Sequence, residues 1–230
     1  MEFISKLVFF VAGFLFAFNG QNYTHFDSVF KDLFNFQSIS VSNYVDSLIE
    51  EYGNEDIVGN IRIDSLSINT PIVQYSDNEY YLNHNEYNNE SRLGAIFLDY
   101  RNSLDLDRKI LIFGHNSQSI TTLFQGLERY LNESFFKNEV NRTLVINTGY
   151  KRMEYLVSSV FVVSTDFQHM KLSFDEEEWK RHIDWINESS LYSVDKISYE
   201  DEILIMQTCY YEPKNSYLLV IAKKIKEAYY

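Results

Sequence analysis

From Ile57 to Ile225 the chain is a succession of short β-branched and aromatic runs, and this texture constrains the fold more than any other feature. Eight runs stand out: Ile57–Ile63, Ile68–Gln74, Ala95–Asp99, Lys109–Phe113, Thr143–Asn147, Glu154–Val163, Glu202–Thr208 and Tyr217–Ile225. Such residues suit a pleated, half-buried surface, and Tyr and Phe alone number 18 each. Two segments interrupt the pattern with apolar residues at helical spacing, Leu123–Phe136 and Phe174–Ile186. Acid at Asp175 to Glu178 falls in the first turn of the second, where the helix dipole favours it. Strands and helices do not alternate regularly. The expected fold is therefore mainly β with peripheral helices, an eight-stranded closed barrel rather than a doubly wound sheet. At 230 residues, one well-packed domain plus an appendage is the natural size.

The appendage is N-terminal. Leu7–Phe18 is an uncharged, mostly apolar run preceded by Lys6 and extended outward by Phe3 and Ile4. Counted from Phe3 it would reach about 24 Å as a helix, enough for a thin bilayer. Ala17-Phe18-Asn19 is a poor cleavage site, so the expectation is an uncleaved signal anchor over residues 1–20. A helical segment over 21–55 follows, then a barrel domain over 56–230 held outside the cytoplasm. Within the middle segment, Ser40–Tyr52 carries Val41, Tyr44, Val45, Leu48, Ile49 and Tyr52 on one face and is ended by Gly53.

A formal net charge of −13 with no basic run argues against nucleic acid as a partner. The chain has one cysteine, which excludes an internal disulfide framework and leaves a buried structural residue, an intermolecular bridge or a reactive thiol. No HExxH, CxxC or EF-hand spacing occurs, and no metal site is expected.

Two strand ends carry chemistry. In ILIMQTCYYE, Cys209 directly follows a predicted strand, rigidly held yet free to face a groove, as a nucleophile requires. In KILIFGHNSQS, His115 follows another strand and Gly114, whose freedom lets the imidazole point across the barrel mouth. Each residue alone reads equally as a structural one; the pair is what points to catalysis. His25, His84, His169 and His182 lie in polar or helical contexts expected at the surface, and Trp179 and Trp185 are expected to pack on the barrel.

The stretches GNIRIDSLSINTPIVQYSDNEYYLNHNEYNNESRLGAIFLDYRN (59–102), ILIFGHNSQSITTLFQGLERY (110–130) and IMQTCYYE (205–212) together resemble the class B sortases of Gram-positive bacteria. The resemblance runs from about Gly59 to Ile225. It implies a sortase-type eight-stranded barrel and a cell-surface cysteine transpeptidase that needs no cofactor. Cys209 would attack the Thr carbonyl of an LPxTG- or NPxTG-like sorting signal on a surface protein or pilin. A peptidoglycan cross-bridge amine or a pilin lysine would resolve the thioester, with His115 moving the proton. It also implies substrate contacts at Asn78, Thr165, Met170 and Thr208. One departure stands out: the family's arginine at the start of the final strand is Tyr217 here, with Lys214, Lys223 or Arg101 as candidate substitutes. A cysteine endopeptidase on the same scaffold and a sortase-like surface protein that has lost catalysis are the alternatives.

Overall fold

The computed structural model describes residues 43–164 and 167–230. The expected anchor, His25 and Thr165 lie outside the described residues. Helix α1 (Asn43–Tyr52) ends where Gly53 takes a positive φ of 65° and returns its N–H to Ile49 O at 2.8 Å, as its glycine predicted. The strands follow as β1 (Ile57–Ile63), β2 (Ile68–Val73), β3 (Phe97–Leu98), β4 (Lys109–Phe113), β5 (Thr143–Asn147), β6 (Lys151–Val163), β7 (Ile203–Tyr210) and β8 (Ser216–Tyr229). They close into a barrel in the order β1-β2-β3-β4-β7-β8-β6-β5. The β2–β3 and β4–β7 neighbours are parallel and the other pairs antiparallel.

Alternation along the strands sorts their side chains into two buried clusters. Ile110 and Ile112 of β4, Leu204 and Met206 of β7, and Leu218 and Val220 of β8 join residues from the other strands in the lumen. Leu111 and Phe113, Ile203 and Ile205, and Leu219 and Ile221 face outward and are covered by α4 (Glu176–Ser189) through Trp179, Ile183 and Ile186. Both faces of β4, β7 and β8 are thus buried, which is why these strands read as unbroken apolar runs. Helix α4 starts on a capping box: Asp175 accepts from Glu178 N at 2.8 Å while its own N–H donates to Glu178 Oε2 at 3.1 Å. Trp185 meets Phe161 edge-on, with ring centroids 5.2 Å apart, so both tryptophans pack on the sheet as expected.

Three expectations need correction. Leu123–Phe136 is not one helix. Residues Leu123–Leu131 are 3₁₀ turns that drop Phe124, Leu127 and Tyr130 into the lumen cluster. A new short helix, α2 (Glu133–Lys137), starts at Asn132, whose side chain accepts from Phe135 N and interrupts the first segment. After α3 (Glu139–Arg142) the chain enters β5. Cys209 does not follow a strand; it lies inside β7, because pairing with β8 continues to Tyr210 opposite Ser216. His169 and His182 are buried rather than superficial. His169 shares a 2.7 Å hydrogen bond with Gln207 Oε1, and His182 Nε2 lies 2.9 Å from Lys109 Nζ.

Candidate active site

The site is built where β4 and β7 run side by side. Their parallel register pairs Phe113 with Gln207, and Gly114 N–H extends the ladder to Gln207 O at 3.2 Å. Cys209 stands two residues further along β7, and His115 two residues past the last β4 pair, in the turn after the strand. The Gly114–Gln207 bond brings the turn that carries His115 beside β7, and alternation along β7 puts Cys209 on the same outward face as Ile203 and Ile205. On the other side of Cys209, β8 sets Tyr217 directly opposite in register. Cys209 and Tyr217 thus lie side by side on β7 and β8, next to the turn that carries His115.

The imidazole is oriented from behind. His115 Nε2 lies 2.6 Å from Leu82 O, and a carbonyl can only accept, so Nε2 carries the proton in the neutral ring. The lone pair is left on Nδ1, on the opposite edge of the ring. Gly94 makes room for this arrangement: a Cβ there would sit 2.7 Å from His115 Cδ2, and its φ is +63°.

The thiol is half-buried, and that burial raises its pKa above the usual thiol range. No cation offsets this among the described residues. Arg101 is engaged elsewhere: Nε and Nη2 hold the two Asp99 oxygens at 2.8 and 2.7 Å, and Nη2 also donates to Met170 O at 3.2 Å. Lys223 pairs with Ile203 at the far end of β7 and donates to Lys196 O. Lys214 is exposed on the β7–β8 turn. Tyr217 is half-buried, met edge-on by Phe167 at 6.0 Å between centroids.

The remaining sequence-predicted residues fall into two settings. Asn78 donates to Asp99 Oδ2 at 3.0 Å and accepts from Tyr100 N at 3.0 Å. It thus joins Arg101 and Met170 in one cluster. Asp99 N bonds Leu111 O, so this cluster sits about 13 Å along β4 from the His115 level at ~3.3 Å per residue. Thr208 is 2% exposed and donates its hydroxyl to Gly114 O at 2.8 Å, bracing the turn that carries His115. Sequence reasoning passed over Asn116, whose side-chain amide donates to Cys209 O at 3.0 Å and to Glu128 Oε1. It also passed over Gln207, which ties β7 to the loop before α4 through His169. Asn116 stood in the GHN signature, so that residue had a signal; Glu128 had none.

Comparison with known proteins gives the family. Residues 61–225 match the Sortase domain family. The sortase B of Listeria monocytogenes is 33% identical over 159 residues, covering 68% of this chain; the chain spans 63% of that protein's length. The Staphylococcus aureus sortase B–substrate complex superposes with a TM-score of 0.72 at 28% identity, covering 89% of this chain and 95% of that one. A Bacillus anthracis protein described as similar to sortase B gives a TM-score of 0.69 at 34% identity, over 79% of this chain and 82% of that one. With its closed eight-stranded barrel and these relatives, the chain belongs to the sortase family, among its class B members.

Proposed function

We propose that this protein is a cysteine transpeptidase that cleaves a Thr–Gly-type bond in an LPxTG- or NPxTG-like sorting signal and passes the acyl group to an amine. What supports the reading is the parallel β4–β7 ladder, whose last bond, Gly114 N to Gln207 O, brings the His115 turn beside the strand that carries Cys209, with Nε2 of the imidazole tied back to Leu82 O. Nδ1 accepts the thiol proton as sulfur attacks the Thr carbonyl. The imidazolium then protonates the leaving glycine amine as the C–N bond breaks, leaving a thioester on Cys209. An incoming amine, from a wall cross-bridge or a pilin lysine, loses its proton to His115, forms the new amide bond and restores the thiol. The thioester retains the energy of the peptide bond, so the cycle calls on no cofactor.

The raised thiol pKa fits a resting enzyme with a neutral sulfhydryl, ionised only when substrate is present. Tyr217, across from Cys209, supplies a hydroxyl as the donor nearest in register for the developing oxyanion. It has neither the charge nor the fork of the arginine expected there, which favours a slow or specialised transpeptidase. We also propose that residues 1–20 anchor the protein in the cell membrane with the barrel outside.

The test is to trap the thioester on the intact protein with a sorting-signal peptide, read as a mass increase equal to the acyl fragment. Cys209→Ala should abolish both the adduct and turnover. Turnover that persists in Cys209→Ala would refute the reading, and purely hydrolytic products at saturating amine would make the protein an endopeptidase.

A further inference from the structure

Beyond Phe113 the backbone of β4 leaves the sheet, yet the His115 turn does not drift from β7. Three consecutive carbonyls of that turn are each capped by a hydroxyl. Gly114 O accepts from Thr208 Oγ1 at 2.8 Å, His115 O from Thr122 Oγ1 at 2.6 Å, and Asn116 O from the Tyr211 hydroxyl at 2.8 Å. Two of the three donors flank Cys209. The return contact runs the other way, from Asn116 to Cys209.

The register explains why that contact matters. Gly114 N–H donates to Gln207 O, so a continuing parallel ladder would bring Cys209 N–H to Gly114 O and then Asn116 N–H to Cys209 O. The Asn116 side chain makes this rung instead, through Nδ2 at 3.0 Å. A side-chain amide can rotate away, whereas a backbone N–H in a ladder cannot. The other Nδ2 hydrogen goes to Glu128 Oε1, which fixes the rotation. Asn116 is 3% exposed, so an unanchored amide there would leave a buried polar group poorly satisfied.

We propose that Glu128 and Asn116 are positioning residues for the nucleophile: Glu128 orients the Asn116 amide so that it replaces the missing rung and holds Cys209 beside the His115 turn. This rests on Cys209 being the nucleophile. Neither residue touches the reacting atoms. The carboxylate acts as a hydrogen-bond acceptor rather than as a charge, and that makes the role separable from electrostatic tuning.

The experiment compares kcat and KM for a sorting-signal peptide turned over by the wild type, with triglycine as the amine, in Asn116→Ala, Glu128→Ala, Glu128→Gln and the double alanine variant. A misplaced nucleophile costs kcat, by up to about 100-fold for Asn116→Ala and about 10-fold for Glu128→Ala, with KM within about threefold. Glu128→Gln keeps an oxygen that accepts from Asn116, so it should recover most of the loss with an unchanged pH profile. The double variant should be no slower than Asn116→Ala alone. Should Asn116→Ala fail to fold, the contrast between Glu128→Ala and Glu128→Gln decides. Wild-type kcat in Glu128→Ala, Gln as damaging as Ala, a loss carried by KM, or additive effects would each overturn the clasp. Cys209→Ala in parallel separates the two failures, since turnover surviving there would fault the nucleophile assignment instead.

Discussion

Strand β4 carries an imidazole neighbour at each of its ends, and the two ends are used differently. Past the carboxyl end, His115 lies in the turn held beside the strand that carries a half-buried thiol. At the amino end, Lys109 is 3% exposed, donates Nζ to Lys171 O at 2.7 Å and lies 2.9 Å from His182 Nε2. Burial pushes the Lys109 ammonium down to about 6, with Arg101 adding to the effect, and burial together with Lys109 pushes His182 down to about 3. Each pair joins an imidazole to a second titratable group on the same sheet face. The first pair is half-exposed; in the second, packed against α4 and Phe174, Lys109 is 3% and His182 4% exposed. Access separates chemistry from structure here, more than residue type does.

The comparison breaks first at Gly94. A methyl group there meets His115 Cδ2 at 2.7 Å and two carbonyls, Tyr81 O at 2.8 Å and Leu82 O at 3.1 Å, on a backbone with φ of +63°. Leu82 O is also the acceptor for His115 Nε2, so Gly94→Ala strains the turn and displaces the ring together. The expected result is a fall in kcat of about 100-fold with stability lowered by about 1–2 kcal/mol. The Lys109–His182 pair should be untouched. Steady-state kinetics with thermal melts would check this, and kcat within threefold of wild type would mean that the ring is held by something other than Leu82 O.

Much of this architecture was legible in the sequence because burial on both faces writes itself as unbroken apolar runs. The strands at 57–63, 109–113 and 143–147 have the boundaries their β-branched runs predict. Gly53 and the Asp175–Glu178 box end and start their helices as their residue types require. What failed was decided by tertiary contact. Leu123–Phe136 has helical spacing but breaks at Asn132, because Phe124, Leu127 and Tyr130 must reach into the lumen while the chain turns towards β5. His182 has polar neighbours along its helix and was placed outside. Only the packing of α4 on Lys109 and Phe174 puts it inside. The Asn116–Glu128 contact was not legible, since it spans 12 residues with no periodic signal.

Lys109→Met sharpens the contrast from the other end. In the native protein the amine titrates near 6, and when unfolded at its ordinary value of 10.5, so between these limits the unfolded chain binds the extra proton. Stability from this group therefore rises with pH across that window, by up to about 1.4 kcal/mol per pH unit, and is flat below it. His182, lowered from 6.5 to about 3, gives a slope of the same sign below pH 6.5. The residues facing Lys109 include Lys171, whose own Nζ is paired with Glu178 at 2.6 Å, and Arg101, held by Asp99. Removing the amine should flatten the stability profile from pH 6 to 9 and leave kcat unchanged. Urea melts at unit pH steps would measure the slope. A variant that keeps the wild-type slope would show that Lys109 stays protonated in the fold.

The smallest effect concerns the thiol itself. Burial raises the Cys209 pKa above the ordinary value of 9.0, and no neighbouring cation among the described residues pulls it back. Iodoacetamide labelling of the resting protein should therefore be slow at neutral pH and gain speed with an apparent midpoint above that value. Because a raised thiol pKa favours the protonated native state, stability from this group is kept up to pH 9 and declines only as pH climbs past it. Tyr217→Arg places a guanidinium in register with Cys209 and should move the labelling midpoint down. The Lys109 slope, on the far end of the same sheet, should not respond. A labelling midpoint near neutrality in the wild type would mean that the imidazole already holds the thiol proton before substrate arrives, and the proton would then have to be assigned to His115 from the start of the cycle.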